Sequence, residues 1–323
     1  MQMKGAAMRS IFPANLVALT LALLGVCARA GPMAYVPNEK SGTVSIVDTA
    51  TDTMTGEIVT GGRPRGVAAS PDGARLYVSD QAANALLVVD VGRREVTAKV
   101  PLGESPEGIE ISRDGRWVAA AVEEANAVAL VDTSAAAVVA TIRTQGKNPE
   151  HAAFSPDGRW IYVGAEDGEQ VDVIDVAARR QVDSIAVGKR PRGIGFAPDG
   201  SRAYVACELA STVYVIDVAT RNVVAQIPAG EFSNGVTVAP KGDRVYVSSG
   251  RAASVDVIDT ASNRVSARIA VGQRPWNMAI TRDGGKLYVA NGRSNTVSVI
   301  DTRLQQRIAD VPVGNAPWGV AIP

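Results

Sequence analysis

The sequence predicts an all-β fold, a seven-bladed β-propeller of four-stranded antiparallel blades. Three observations predict it. Asp48, Asp90, Asp132, Asp175, Asp217, Asp259 and Asp301 recur at steps of 42, 42, 43, 42, 42 and 42 residues. Pro64, Pro106, Pro149, Pro191, Ser233, Pro275 and Pro317 recur on the same step. Units of ~40–45 residues with four strands each are the signature of propeller blades. The ends also complement each other: Met33 to Val36 reads as a second strand with no first strand before it, and Ala316 to Pro323 as a first strand with nothing after it. Joined, they complete a seventh blade, so the ring is expected to close by pairing the N-terminal strands with the C-terminal strand.

Within one unit the strands follow from short β-branched runs bounded by turn residues. In the first full copy, strand a is read at Gly66 to Ser70, before a Pro71-Asp72-Gly73 turn. Strand b is Leu76 to Ser79, strand c is Ala85 to Val91, and strand d runs from Glu95 to Leu102, closed by Gly103. The Ser-Pro-Asp-Gly pattern at Ser70 and Ser155, with variants at Ser112, Ala197, Ala239 and Thr281, is a tight a–b turn. Tyr35, Tyr77, Tyr162, Tyr204, Tyr246 and Tyr288 all precede Val on strand b and are expected to pack between blades. The second blade breaks that pattern with Ala119-Ala120, with Trp117 as the compensating bulk. The seven Asp at the end of strand c are expected to cap turns rather than form carboxylate pairs for catalysis.

The chain starts with Lys4 and Arg9, an apolar run from Leu16 to Cys27, then Ala28-Arg29-Ala30. This is the layout of a secretory signal peptide cleaved after Ala30, with residues 31–323 as a single propeller. The run is shorter than the ~20 residues that span a bilayer, so no membrane span is expected. A lipoprotein anchored through Cys27 is an alternative, against which stands Val26 where a small residue belongs. Removing Lys4, Arg9 and Arg29 leaves 30 basic and 33 acidic residues, no basic excess for nucleic acid, and Cys207 as the one cysteine. The ring therefore closes without an internal disulfide.

Six blades carry an aromatic Tyr-Val core and a following V-x-V-[IV]-D-[TV] segment, as in Leu76-Tyr77-Val78-Ser79 with Val88-Val89-Asp90-Val91, and Leu287-Tyr288-Val289-Ala290 with Val299-Ile300-Asp301-Thr302. Residues 33 to 323 resemble the YVTN-repeat β-propeller family on these motifs. The signal peptide, seven blades and Pro-Arg-Gly or Pro-Glu-Gly starts resemble most the exported propellers associated with pyrroloquinoline-quinone-dependent alcohol catabolism. That resemblance implies a periplasmic accessory protein near a quinoprotein dehydrogenase or cytochrome c. It implies no defined reaction.

Function is sought where the copies differ. One residue past the opening Pro position stand Arg65, Glu107, Glu150, Arg192, Asn234, Trp276 and Trp318. The next position is glycine in five blades but His151 and Asn277 in two. Strand a is innermost in a propeller, so these residues should rim the mouth of the central channel. Ring order places Trp276 beside Trp318 and Trp318 beside Arg65, a set that would stack a planar ligand, anchor a partner side chain, or simply plug the channel. Arg65 with Glu107, and Arg192 with Glu150, read as ion pairs on a wet rim that contribute little. Glu107, Glu150 and His151 are the alternative metal set of a lactonase- or lyase-type propeller, although a stable transition-metal site usually has three or four protein ligands. A haem on His151 is weighed against the width of the channel. No Cys-x-x-Cys-His, Ser/His/Asp set or phosphate loop is present. Acidic b–c loops, at Glu39, Asp80, Glu123, Glu124, Glu166, Asp167, Glu169 and Glu208, would steer a basic partner, whereas Arg251 and Arg293 occupy the other two blades. The expected protein is a periplasmic, monomeric, non-enzymatic binding or accessory propeller without a cofactor, for a protein partner or a small ligand. A metal-dependent lactonase or lyase and a purely structural scaffold are the alternatives.

Overall fold

The computed structural model describes residues 1–2 and 32–323. The expected signal peptide, its cleavage point after Ala30, and Cys27 lie outside the described residues. Seven sheets follow one another along the chain. In blade 1 the strands are a, Pro64–Ala69; b, Arg75–Asp80; c, Ala85–Asp90; and d, Glu95–Pro101, all antiparallel in that order. Blades 2 to 6 repeat this over residues 106–143, 149–186, 191–228, 233–270 and 275–312. Strands b, c and d of blade 7 are Met33–Asn38, Thr43–Asp48 and Thr53–Val59. Among the described residues no helix is long and apolar enough to cross a membrane.

The first strand of blade 7 comes from the other end of the chain, as the sequence predicts. Pro317 bridges Asn38 and Ala321 bridges Tyr35, the register that Pro275–Asn291 and Ala279–Tyr288 adopt in blade 6. Tyr35 and Ala321 exchange two N–H···O bonds of 2.9 Å, and Trp318 N–H donates to Pro37 O at 3.0 Å. Side chains reinforce the neighbouring interface: Lys286 Nζ lies 2.6 Å from Asp52 Oδ2, and the Tyr288 hydroxyl donates to Asp52.

Burial explains the strand patterns. Strands b and c are enclosed on both faces, so they read as apolar runs; strand d alternates because one face meets solvent. The core is a set of seven clusters, one between each pair of neighbouring blades. All six repeat tyrosines are buried, and Tyr35, for example, packs with Leu76, Val78 and Leu87 of blade 1. Ala119 takes the tyrosine position of blade 2, and Trp117 packs against its cluster. The strand-c aspartates accept backbone N–H groups of the turns that follow, from Ala50 to Asp48 at 2.7 Å, from Arg93 to Asp90 at 2.8 Å, and likewise in the other five blades.

One boundary differs from the sequence reading in a way that matters. Strand a of blade 1 begins at Pro64, not Gly66, because Pro64 pairs with Asp80 before a bulge that resumes at Val67. The same shift follows Pro106, Pro191, Ser233 and Pro275. It lifts the next two residues out of the ladder and re-aims their side chains.

Candidate functional site

The bulge builds the site from the repeat. In blade 1 the Gly66 N–H freed from the ladder donates to Ser79 Oγ at 2.8 Å, which donates in turn to Glu107 O of blade 2 at 2.6 Å. Ser248 repeats this device between Gly235 N–H and Trp276 O. The buried donors of the bulge are thus satisfied, and the backbone of Glu107 and Trp276 is fixed from the preceding blade.

The mouth holds a cavity of about 260 Å³ lined by Glu39, Arg65, Gln81, Glu107, Glu123, Glu150, Glu166, Arg190, Arg192, Trp276 and Trp318. The expected pairs are present. Arg65 Nη1 donates to both Glu107 oxygens, at 2.5 Å to Oε2, and Arg192 Nη1 donates to Glu150. The wet-rim expectation is corrected: Glu107 is fully buried, and Glu150 and Arg192 are buried as well. The b–c loops fold over the rim and bring further partners. Arg192 Nε lies 2.7 Å from Glu166 and 3.1 Å from Glu208, Arg190 reaches the same two carboxylates, and Arg274 reaches Glu208 at 2.8 Å. Glu39 binds Arg63 and Arg65. Much of the acidic arc is therefore engaged by arginines rather than free to steer a partner, and Asp80 is occupied by backbone N–H groups of Arg63, Ala82 and Ala83.

Burial, with the charge of Glu150 second, pushes Glu107 up to about 8 against the pull of Arg65. The same two causes push Glu166 up to about 7 against Arg192 and Arg190. Three carboxylates pack around Arg192, and Arg190 and Arg274 share in compensating Glu166 and Glu208.

Trp276 and Trp318 are stacked, with centroids 6.3 Å apart and planes 16° apart. The arginines on this stack are not Arg65, as ring order led us to expect. Arg274 lies 4.4 Å and Arg192 5.5 Å from the Trp276 centroid. Phe232 extends the aromatic wall, under Arg251 at 4.2 Å and Arg274 at 5.6 Å. Asn234 is buried between these groups in ring order.

His151 is not with Glu107 and Glu150. It lines a separate channel cavity of about 110 Å³ together with Asn277, Met278 and Trp318. In blade 3 the ladder resumes one residue earlier, at His151–Gly164, so only Glu150 is displaced there. His151 Nδ1 accepts from Ile194 N–H at 3.3 Å, and burial pushes the imidazole down to about 4, so it stays neutral. Among the described residues no group of three or more His, Cys, Asp or Glu side chains is arranged to hold a metal ion.

Sequence reasoning missed two features. Glu110 faces a cavity of about 230 Å³ at the other end of the channel, accepts Phe154 N–H at 2.9 Å, and is pushed up to about 8 by burial. Its signal was available: its position holds Ala68, Ala153, Gly195, Thr237, Ala279 and Ala321 in the other blades. The second is the glycine that follows strand b in two blades, Gly250 and Gly292, where the other five carry the Glu or Gln of loops whose acidic bias the sequence did show.

Comparison with known proteins agrees with the ring. The YNCE-like beta-propeller family model matches residues 5–152, and the Cytochrome D1 heme domain model matches residues 119–245. A PE-PGRS family protein, PE_PGRS18 of Mycobacterium tuberculosis (strain ATCC 25618 / H37Rv), is 49% identical over 47 residues, which cover 15% of this chain and 10% of that protein. Among solved structures, Kuenenia stuttgartiensis hydrazine synthase superposes with a TM-score of 0.77 at 25% identity, over 87% of this chain and 99% of that one. A functionally unknown protein from Desulfotomaculum acetoxidans DSM 771 gives 0.80 at 18% identity, over 90% and 99%. A putative 6-phosphogluconolactonase from Bacteroides uniformis ATCC 8492 gives 0.76 at 16% identity, over 91% and 100%. The last two likenesses are of fold alone. The seven four-stranded blades and these matches agree on a β-propeller fold.

Proposed function

We propose that this chain is an exported, periplasmic, non-enzymatic propeller whose channel mouth binds a partner side chain or small ligand, as an accessory to a quinoprotein dehydrogenase or cytochrome c system. The supporting observation is the mouth itself: a stacked Trp276–Trp318 wall faces a buried arginine–carboxylate network across one cavity. These residues depart from the repeat, and a scaffold alone has no use for four kinds of side chain, Arg, Glu, Asn and Trp, at one repeated position. The test is capture of a quinoprotein dehydrogenase or cytochrome c from periplasm. Trp276→Ala with Trp318→Ala should abolish capture while circular dichroism stays that of the folded ring. Undiminished capture by this double variant would remove the mouth from the interaction.

The enzyme reading has less support. Glu107 and Glu150 line one cavity and His151 another, and the likeness to a putative lactonase is of fold alone. Calorimetric titration with Ca²⁺, Mg²⁺ and Zn²⁺ checks it directly, since saturable binding lost in Glu150→Gln would restore it. The haem named by one matching family model would need His151, the single histidine. The cavity it lines, about 110 Å³, is well below the ~300 Å³ at which small-molecule pockets begin. A tetrapyrrole does not fit these residues as they are arranged.

A further inference from the structure

The far end of the channel carries one charged group that the repeat does not require. Where blade 2 has Glu110, the other blades have Ala68, Ala153, Gly195, Thr237, Ala279 and Ala321, and the ring forms without a carboxyl at any of them. Glu110 Oε2 accepts Phe154 N–H of blade 3 at 2.9 Å. Oε1 accepts no hydrogen bond among the described residues. It is not one of the eight unpartnered polar atoms sealed inside the protein, so an occupant of the cavity can reach it. Burial and the Phe154 hydrogen bond are the influences on this carboxyl, and no cation pulls on it. A carboxylate enclosed without a counter-cation is costly, and a ligand that supplies the cation removes the cost.

The lining narrows the class of ligand. An anion would meet Glu110 itself. A metal ion takes several ligating groups, and no cluster of three or more His, Cys, Asp or Glu is present among the described residues. The walls are apolar, with Ile111, Ile194, Phe154 and Phe196. The two phenylalanines are themselves exceptions: their position holds Ala69, Ile111, Val238, Ile280 and Ile322 in the other blades. Aromatic faces attract ammonium groups. Arg113 lies at the cavity edge, exposed to solvent. The volume, about 230 Å³, is below the ~300 Å³ at which drug-sized pockets begin, so the occupant is small. We propose that the far-end cavity binds a small organic ammonium, a primary amine, with its N–H groups on Glu110 Oε1 and its carbons against Phe154 and Phe196. This site is separate from the mouth and does not depend on what the mouth binds.

The site also has a pH signature. Burial raises Glu110 to about 8, so the empty cavity holds a proton at neutral pH and an arriving ammonium displaces it. Strand a of blades 1 and 3 and strand b of blade 2, packed around Glu110, bring apolar side chains to this end of the channel. Arg113 stays charged over the range concerned, and His151 lines the other channel cavity and is neutral. Affinity for an amine with a lysine-like pKa of ~10.4 should therefore rise about tenfold from pH 7 to pH 9.

The test is calorimetric titration of the purified chain with n-butylamine and benzylamine. Butanol, benzyl alcohol, butyrate and benzoate serve as neutral and anionic counterparts of similar shape. At least one amine should bind at millimolar concentration or tighter, about tenfold better than its alcohol. Glu110→Gln keeps an acceptor for Phe154 N–H, and Glu110→Ala installs the residue of four other blades. Each should weaken amine binding at pH 9 by about tenfold or more and abolish the pH slope. Phe196→Leu should weaken it about threefold, and Arg113→Ala should not weaken it. The proposal is overturned if no amine binds, if an alcohol or carboxylate binds as well, or if binding survives both Glu110 variants. Weakening in Arg113→Ala would overturn it too, since the ligand would then be held by its anionic part. The preference of the unmodified chain for amine over alcohol stands as a test even if a variant does not fold.

Discussion

Five consecutive blades and the remaining two finish the same mouth differently. In blades 7, 1, 2, 3 and 4 the residue after strand b is Glu39, Gln81, Glu123, Glu166 or Glu208; in blades 5 and 6 it is Gly250 or Gly292, followed by Arg251 and Arg293. The first arc is an arginine–carboxylate mesh that crosses blade boundaries. The second is an aromatic wall of Phe232 and Trp276 with arginines laid on it, and it stacks on Trp318 of blade 7. The glycines are what permit the wall. A Cβ at position 292 would sit 2.4 Å from Trp276 Nε1, and one at 250 would sit 3.1 Å from Arg274 Nη1. The contrast teaches that one backbone frame offers two ways to finish a rim, by charge compensation or by stacking.

Four experiments would break or sharpen that contrast. The largest effect is expected from Arg192→Met, which strands buried Glu150 and leaves Glu166 and Glu208 to Arg190 and Arg274. It should cost about 3–5 kcal/mol in denaturant unfolding; a cost near zero would mean the mesh is wet. Gly292→Ala, on the other arc, should cost about 1–3 kcal/mol by overpacking and shift the tryptophan emission as Trp276 is displaced. An unshifted spectrum would show that Trp276 does not need the glycine.

The third experiment is a pH series. Glu107, Glu166 and, at the far end of the channel, Glu110 are raised in the fold, so the folded chain keeps protons that the unfolded chain releases, and their contribution is lost as pH rises through the folded values. His151 is lowered, with the opposite sign, but above its ordinary value of 6.5 it is neutral in both states. Between pH 6.5 and about 8 the carboxylates therefore act alone, and the melting temperature should fall. Glu107→Gln should flatten the decline and Trp276→Ala should not; equal slopes in all three proteins would dissolve the distinction between arcs. The smallest effect is expected from Arg251→Ala. Its guanidinium is exposed over Phe232, and about 0.5–1 kcal/mol is the scale for such a contact.

The fold was legible because each blade repeats its own turn chemistry. The aspartate series gave the period, and the tyrosines gave the packing face before any coordinate. The rim positions were legible as exceptions, and Arg65, Glu107, Glu150, Arg192, Trp276 and Trp318 do share one cavity. Their burial was not legible. It arises because Glu166 and Glu208 reach the rim from b–c loops, and Arg190 and Arg274 from d–a loops, so that the two loop types meet over the rim across blade boundaries. The separation of His151 from Glu150 was hidden for another reason: it depends on where one ladder resumes after its bulge, which neighbouring residues of similar type do not encode.

The pairing of Tyr35 with Ala321 also has a kinetic side. Every other sheet can assemble from one continuous stretch of about 40 residues, as blade repeats do. Blade 7 needs two segments from opposite ends of the ring, and gathering a loop of that length costs on the order of 5 kcal/mol of chain entropy. Its completion is thus the natural last event of folding and the natural first event of opening. A ring opened there would present strand b of blade 7 as a bare edge, ready to accept strand a from a second copy. The same few hydrogen bonds that make the ring whole decide whether a crowded, half-folded population closes on itself or links into chains.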